Sequence, residues 1–158
     1  MIGPASFVSV SGPRHPPSTV PQKADDQDPA ADLGHAGRIL IVEDDYMVAL
    51  SNEWALTDAG FEVVATVASG EEALVTATKA RPDLVLMDIR LAGTMDGIDA
   101  ALVLRVRGIP CIFASANTDP GTVARAEAAE PLGWIRKPFT DAELVIAISK
   151  AMGRLRGT

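Results

Sequence analysis

From Arg38 onward the chain alternates short apolar runs with longer stretches of mixed character. The runs are residues 39–42, 61–67, 84–87, 109–114 and 132–135. They are rich in Val, Ile, Leu and Phe, and largely continuous rather than alternating. That pattern belongs to strands covered on both faces. Between them apolar positions recur at helical spacing. Met47, Leu50 and Trp54 mark the stripe of a first helix, which Ala59-Gly60 stops. Ser69 with Glu72 three residues on reads as a capping box opening a second helix, which ends near Ala80, before Arg81-Pro82. Ile98, Ala101, Leu102 and Arg105 mark a third, closed by Gly108. Residues 119–130, Ala- and Glu-rich with Val123 as their one large apolar residue ahead of the last run, predict the weakest helix. Thr140 and Glu143 form a second capping box. Leu144, Ile148, Ala151, Met152 and Leu155 are the stripe of the last helix. This is an α/β fold, (βα)5. Right-handed crossovers turn it into a doubly wound parallel five-stranded sheet. Strand order 2-1-3-4-5 brings the ends of strands one, three and five to the switch point.

Residues 1–36 have a different texture. Pro4, Pro13, Pro16, Pro17, Pro21 and Pro29 fall among Ser, Gly, Asp and Ala, and apolar residues are sparse and without period. Such a segment buries too little surface to offset its ordering entropy. It is expected to be a disordered N-terminal extension, with the folded domain over 37–158. Pro16-Pro17 offers a short polyproline ligand, but a solvated tail is the simpler expectation.

Charge and composition narrow the function. The chain has 158 residues, a net charge of −7 and 47% apolar residues, enough for one domain with a sizeable core. An acidic protein is a poor partner for nucleic-acid backbone or an anionic membrane, so neither is expected. The one cysteine, Cys111, excludes an internal disulfide and a Cys-based zinc site, and reads as a small buried hydrophobe. No apolar stretch approaches the roughly 20 residues of a membrane span. The N-terminus lacks the basic region and apolar core of a signal peptide. A cytoplasmic location is expected.

The candidate chemistry sits where apolar runs end. The first ends in Glu43-Asp44-Asp45, the third in Asp88, and the fifth in Arg136-Lys137-Pro138. Carboxylates and an amine at the C-terminal ends of parallel strands converge on the edge where open α/β folds bind ligands. Several carboxylates with one amine suit a divalent cation and a phosphoryl group.

These residues, with Asp96-Gly97, Phe113-Ala114-Ser115 and Trp134 through Phe139, carry a resemblance. Residues 38–154 are similar to the receiver domain of two-component response regulators, a flavodoxin-like, CheY-like fold, here in a stand-alone form. The resemblance implies that Asp88 accepts a phosphoryl group by in-line attack. It implies Mg2+ held by Asp44, Asp88 and the Arg90 main-chain carbonyl, with Glu43 acting mainly through water. Asp45 is left to cap the first helix. Lys137 is expected to reach a phosphoryl oxygen across a cis Lys137-Pro138 peptide. Ser115 is expected to donate its hydroxyl to the phosphoryl group and to turn toward the acid on activation. Trp134 occupies the place of a switching aromatic, either swinging inward or anchoring a partner. Arg90 and Asn117 occupy the positions that tune the aspartyl-phosphate lifetime.

The implied donor is a histidine kinase or histidine phosphotransfer protein. The implied output is contact with another protein, from a monomer or weak homodimer. The activity expected is self-phosphorylation and self-dephosphorylation only. Two departures stand out. The loop after Asp88, Ile89 through Gly97, lacks the usual Met-Pro and is one residue longer. Phe113-Ala114-Ser115-Ala116 partly resembles an α-proteobacterial subgroup served by atypical histidine kinases, with alanine replacing its glycine. Two rival readings remain. A phosphohydrolase would place a second acid two residues after its nucleophile, but Arg90 and Tyr46 stand there. An unphosphorylated adaptor would not need Glu43, Asp44, Asp88, Ser115 and Lys137 together.

Overall fold

In a computed structural model the described residues are 36–116 and 119–157. Residues 1–35 of the expected extension over 1–36, and Asn117, lie outside them. Ala36 is described. Its amide donates to the Gly60 carbonyl at 3.1 Å, and its own carbonyl accepts from Arg156.

Among the described residues ten elements follow in strict alternation. They are β1 (Arg38–Val42), α1 (Tyr46–Asp58), β2 (Glu62–Val67), α2 (Gly70–Ala80), β3 (Leu84–Asp88), α3 (Gly97–Val106), β4 (Cys111–Ser115), α4 (Pro120–Glu127), β5 (Trp134–Arg136) and α5 (Asp141–Arg156). The five strands are parallel, in the order β2-β1-β3-β4-β5. The fold class, sheet and order are those expected from the apolar runs. Each crossover helix hides part of one face of the sheet, so β1, β3 and β4 lose both faces to burial and carry unbroken apolar sequence. β2 lies at an edge and is only half-buried.

Two cores flank the sheet. Leu40, Val42, Val85, Met87 and Phe113 face one side, under α2, α3 and α4, with Ile98 and Leu104. Ile39, Ile41, Leu84, Leu86 and Ile112 face the other, against Leu56 of α1 and Leu144 and Ile148 of α5. Alternate residues of one strand thus feed opposite cores, as the two-residue period of a strand requires.

The expected stripe of α1 is the main correction. Met47 is 68% exposed and Trp54 74% exposed. The buried side carries Ala49, Asn52, Ala55 and Leu56 instead. Small residues there let α1 sit close to the sheet, and the large apolar ones are turned out. Strand limits also shift: β4 and β5 end one residue later than the apolar runs, at Ser115 and Arg136. The Ser69 cap is present, but Glu72 reaches back to the Ala68 amide at 3.0 Å rather than to that of Ser69. The capping box of Thr140 and Glu143 is complete. Among the described residues α4 is the shortest helix, and it buries one residue, Ala126.

Candidate functional site

β1 and β3 run side by side, Val42 opposite Met87, so the residues that follow them leave the sheet at one height. Glu43, Asp44 and Asp88 each offer a carboxylate oxygen, and these oxygens lie within 4.8 Å of one another. Glu43 and Asp88 are buried, whereas Asp44 is exposed. β4 separates β3 from β5, and Lys137 reaches across it. Its ammonium lies 2.5 Å from Glu43 Oε2 and 3.1 Å from Asp88 Oδ2. The four side chains read from the strand ends therefore share one pocket. The Lys137-Pro138 peptide is cis, as expected.

The electrostatics follow from this crowding. Burial raises the pKa of Glu43, outweighing the Lys137 hydrogen bond and the Asp45 amide that favour its charged form. Burial works against a charged Lys137 as well. The carboxylates of Glu43 and Asp88 outweigh it and hold the ammonium above its ordinary pKa. Lys137 stays protonated because it answers two acids at once.

Neighbouring residues set the shape. Asp45 caps α1, accepting from the Met47 and Val48 amides at 2.9 and 3.2 Å, and its own amide donates to Glu43 Oε1 at 3.1 Å. The capping role expected for Asp45 is thus present, and the cap also orients Glu43. The Arg90 amide donates to Asp88 Oδ1 at 3.3 Å, and the Arg90 side chain is exposed. Ser115 is buried at the end of β4, one residue past the partner of Asp88, Ala114. Trp134 is half-buried, its ring 5.1 Å from that of Phe113 and tilted by 40°. A groove of about 500 Å3 opens beside Lys137, lined by Met47, Val48, Asn52, Ala116, Pro138 and Phe139.

Three features of the site were not read from the sequence. Gly97 lies against the Asp88 backbone, where a Cβ would stand 1.9 Å from the Asp88 carbonyl oxygen. Glu71 binds the loop after Asp88, and its bonds to Thr94 hold its carboxyl below the usual pKa range. Arg125 of α4 reaches Asp96, the cap of α3, at 2.6 Å and Asp99 at 2.9 Å. Asp96 in turn has a lowered pKa: burial opposes this, but the Asp99 amide and the Arg125 guanidinium prevail. Each contact joins residues more than 20 positions apart, or backbone to backbone, and no local spacing announces it.

The sheet order and the strand-end acids define a class, and comparison agrees. Residues 39–149 match the response regulator receiver domain, and the chain belongs to that family. It is thus a receiver domain of the two-component type. It is 34% identical over 127 residues to the transcriptional regulatory protein PdtaR of Mycobacterium tuberculosis, a match covering 80% of this chain and 62% of that one. The chain therefore spans about three-fifths of that relative's length. Similar solved structures include the signal receiver domain of a modulated diguanylate cyclase from Desulfovibrio desulfuricans G20. Its TM-score is 0.71 at 33% identity, over 76% of this chain and 96% of that one. The response regulator PhyR from Brucella abortus is another, with a TM-score of 0.66 at 34% identity, over 77% of this chain and 49% of that one. No described helix is long and apolar enough to cross a membrane.

Proposed function

We propose that the chain is a phospho-accepting switch of a phosphorelay, with Asp88 as the acceptor. One observation carries this reading: the carboxylates of Glu43, Asp44 and Asp88 converge within 4.8 Å while the Lys137 ammonium touches Asp88. Three carboxylates against one ammonium leave two negative charges uncompensated. An all-oxygen donor set with two buried members and one open to solvent fits Mg2+, which keeps several waters. Glu43, Asp44, Asp88 and the Arg90 main-chain carbonyl would hold it. Bound there, the ion would supply positive charge to offset that of the acceptor and the incoming phosphoryl group.

The rest is the work of the protein's own groups. A histidine kinase or histidine phosphotransfer protein presents phosphohistidine at the pocket. An Asp88 carboxylate oxygen attacks phosphorus in line with the P–N bond. The P–O bond forms as the P–N bond breaks, and the imidazole leaves with its electron pair and is reprotonated. Lys137 keeps its proton and follows the phosphoryl oxygens, releasing part of its hold on Glu43. The Ser115 hydroxyl donates to another phosphoryl oxygen. The apolar groove beside Lys137 receives the partner that carries the phosphohistidine. The aspartyl phosphate biases a two-state domain, and the change is read by protein contact on the side of α4, β5 and α5, where Trp134 lies. Hydrolysis by water returns the switch.

The test is binding of a beryllofluoride phosphate mimic. The wild-type chain should bind it only with Mg2+, and Asp88→Ala should lose binding while keeping its fold by circular dichroism. Equal binding by the variant would remove Asp88 from the acceptor role.

A further inference from the structure

The loop from Ile89 to Asp96 is fastened at two levels. At its base the Gly97 amide donates to the Ile89 carbonyl at 2.9 Å. At its tip Glu71, in the first turn of α2, takes three hydrogen bonds on one carboxylate oxygen. The donors are the Thr94 amide at 3.1 Å, the Thr94 hydroxyl at 2.6 Å and the Met95 amide at 3.1 Å. Gly93 makes the approach possible. Its φ of +96° is open to glycine, and a Cβ there would stand 2.9 Å from the other Glu71 oxygen. Ser69 and Ala92 add a lone parallel bridge beside it.

An acid in the first turn of a helix is favoured by the helix dipole alone. That does not account for an oxygen aimed at three donors of a segment 23 and 24 residues away. The segment matters because of what it carries. It begins at Asp88 and includes Arg90, whose amide already binds the Asp88 carboxylate. A loop free of regular structure has many conformations to lose, and a fixed point near its tip removes many of them.

We propose that Glu71 is a positioning residue for the acidic site, holding the loop so that the Arg90 carbonyl and the Asp88 carboxylate stay in place for the cation. This rests on the Mg2+-dependent acceptor reading above. Glu71 is not one of the carboxylates that converge with Asp88. It acts through Thr94, Met95 and the loop they close.

The experiment is calorimetric titration of the full chain with Mg2+ alone, with no phosphodonor, alongside thermal unfolding. Glu71→Ala should weaken Mg2+ binding by about tenfold, the scale of one lost hydrogen bond to a charged group. Its melting temperature should fall only slightly, because Glu71 is exposed and its bonds fasten a surface loop rather than the core. Glu71→Gln keeps an acceptor oxygen of the same shape and should recover most of the affinity. Thr94→Val, which removes one donor and leaves Glu71 intact, should lie between. Wild-type affinity in Glu71→Ala would overturn the proposal. So would a Glu71→Gln variant as weak as Glu71→Ala, since that would trace the effect to distant charge rather than to the held loop. A wild-type chain that binds no Mg2+ would sink the acceptor reading itself, and the two failures are thereby told apart.

Discussion

A methyl group at position 97 has nowhere to go. The Cβ of an alanine there would lie 1.9 Å from the Asp88 carbonyl oxygen and 2.8 Å from its carbon. The obstacle is backbone, so no side-chain rotation relieves it. Gly97 opens α3 with helical geometry that alanine adopts readily, and the glycine is therefore required by space rather than by φ. Gly97→Ala should cost about 1–3 kcal/mol, the range of overpacked sites, measured by urea unfolding. It should also weaken the phosphate mimic, because the strain falls on Asp88. A variant that is as stable as wild type and binds the mimic normally would show that this junction yields. The same scale explains which site residues the sequence discloses. Glu43, Asp44, Asp88 and Lys137 each end an apolar run, and a strand end is a fixed place in a parallel sheet. Glu71 and Arg125 end nothing. Their partners lie more than 20 residues away, and a glutamate in the first turn of a helix already has an ordinary explanation.

Among elements, the strands were the most legible and α1 the least. A strand buried on both faces leaves one signal, an unbroken apolar run. A helix has several possible faces, and α1 buries alanines, a leucine and an asparagine while exposing Tyr46, Met47 and Trp54. Size misled the periodicity: the largest apolar residues mark the outer face. The start of α5 was legible to the atom, because a capping box is a local motif. The Thr140 hydroxyl accepts from the Glu143 amide at 3.3 Å, and Glu143 accepts the Thr140 amide at 2.7 Å. The Thr140 amide is the main reason the Glu143 pKa is lowered. A lowered folded pKa means that the bond stabilises the fold above the ordinary carboxyl pKa and is lost as pH falls through the lowered value. Thr140→Ala should destabilise by about 1 kcal/mol at neutral pH. Glu143→Gln should be less stable than wild type at pH 7, with the gap closing as the solution is acidified below that range. Unfolding curves at several pH values check this, and a gap that widens on acidification would contradict the bond.

For the molecule as a whole, the two cores are unequal in what they hold. α1 and α5 share one face of the sheet, and α5 contributes Leu144, Ile148, Ala151 and Met152 to it. On the other face α3 is sunk deeply through Ile98, Ala100, Ala101 and Leu104, but α4 contributes one buried alanine. Ala129, just past its end, adds a second small contact. Such burial releases little free energy, so α4 depends on its ties to α3. Arg125 binds Asp96 and Asp99, and Arg105 of α3 binds Glu130 just beyond α4. These pairs are partly exposed, and each such pair contributes only about 0–1 kcal/mol. The helix nearest the proposed output side is therefore the one that opens most cheaply, while the sheet and the acidic site stay closed. Native-state hydrogen exchange should find the α4 amides opening at lower free energy than those of α3 or α5. Arg125→Met should speed exchange in α4 further while leaving the most protected strand amides unchanged, and added salt should act in the same direction on the wild-type chain. Protection of α4 equal to that of α3, or loss of global stability in Arg125→Met, would mean that this helix is bound into the core and moves only with it.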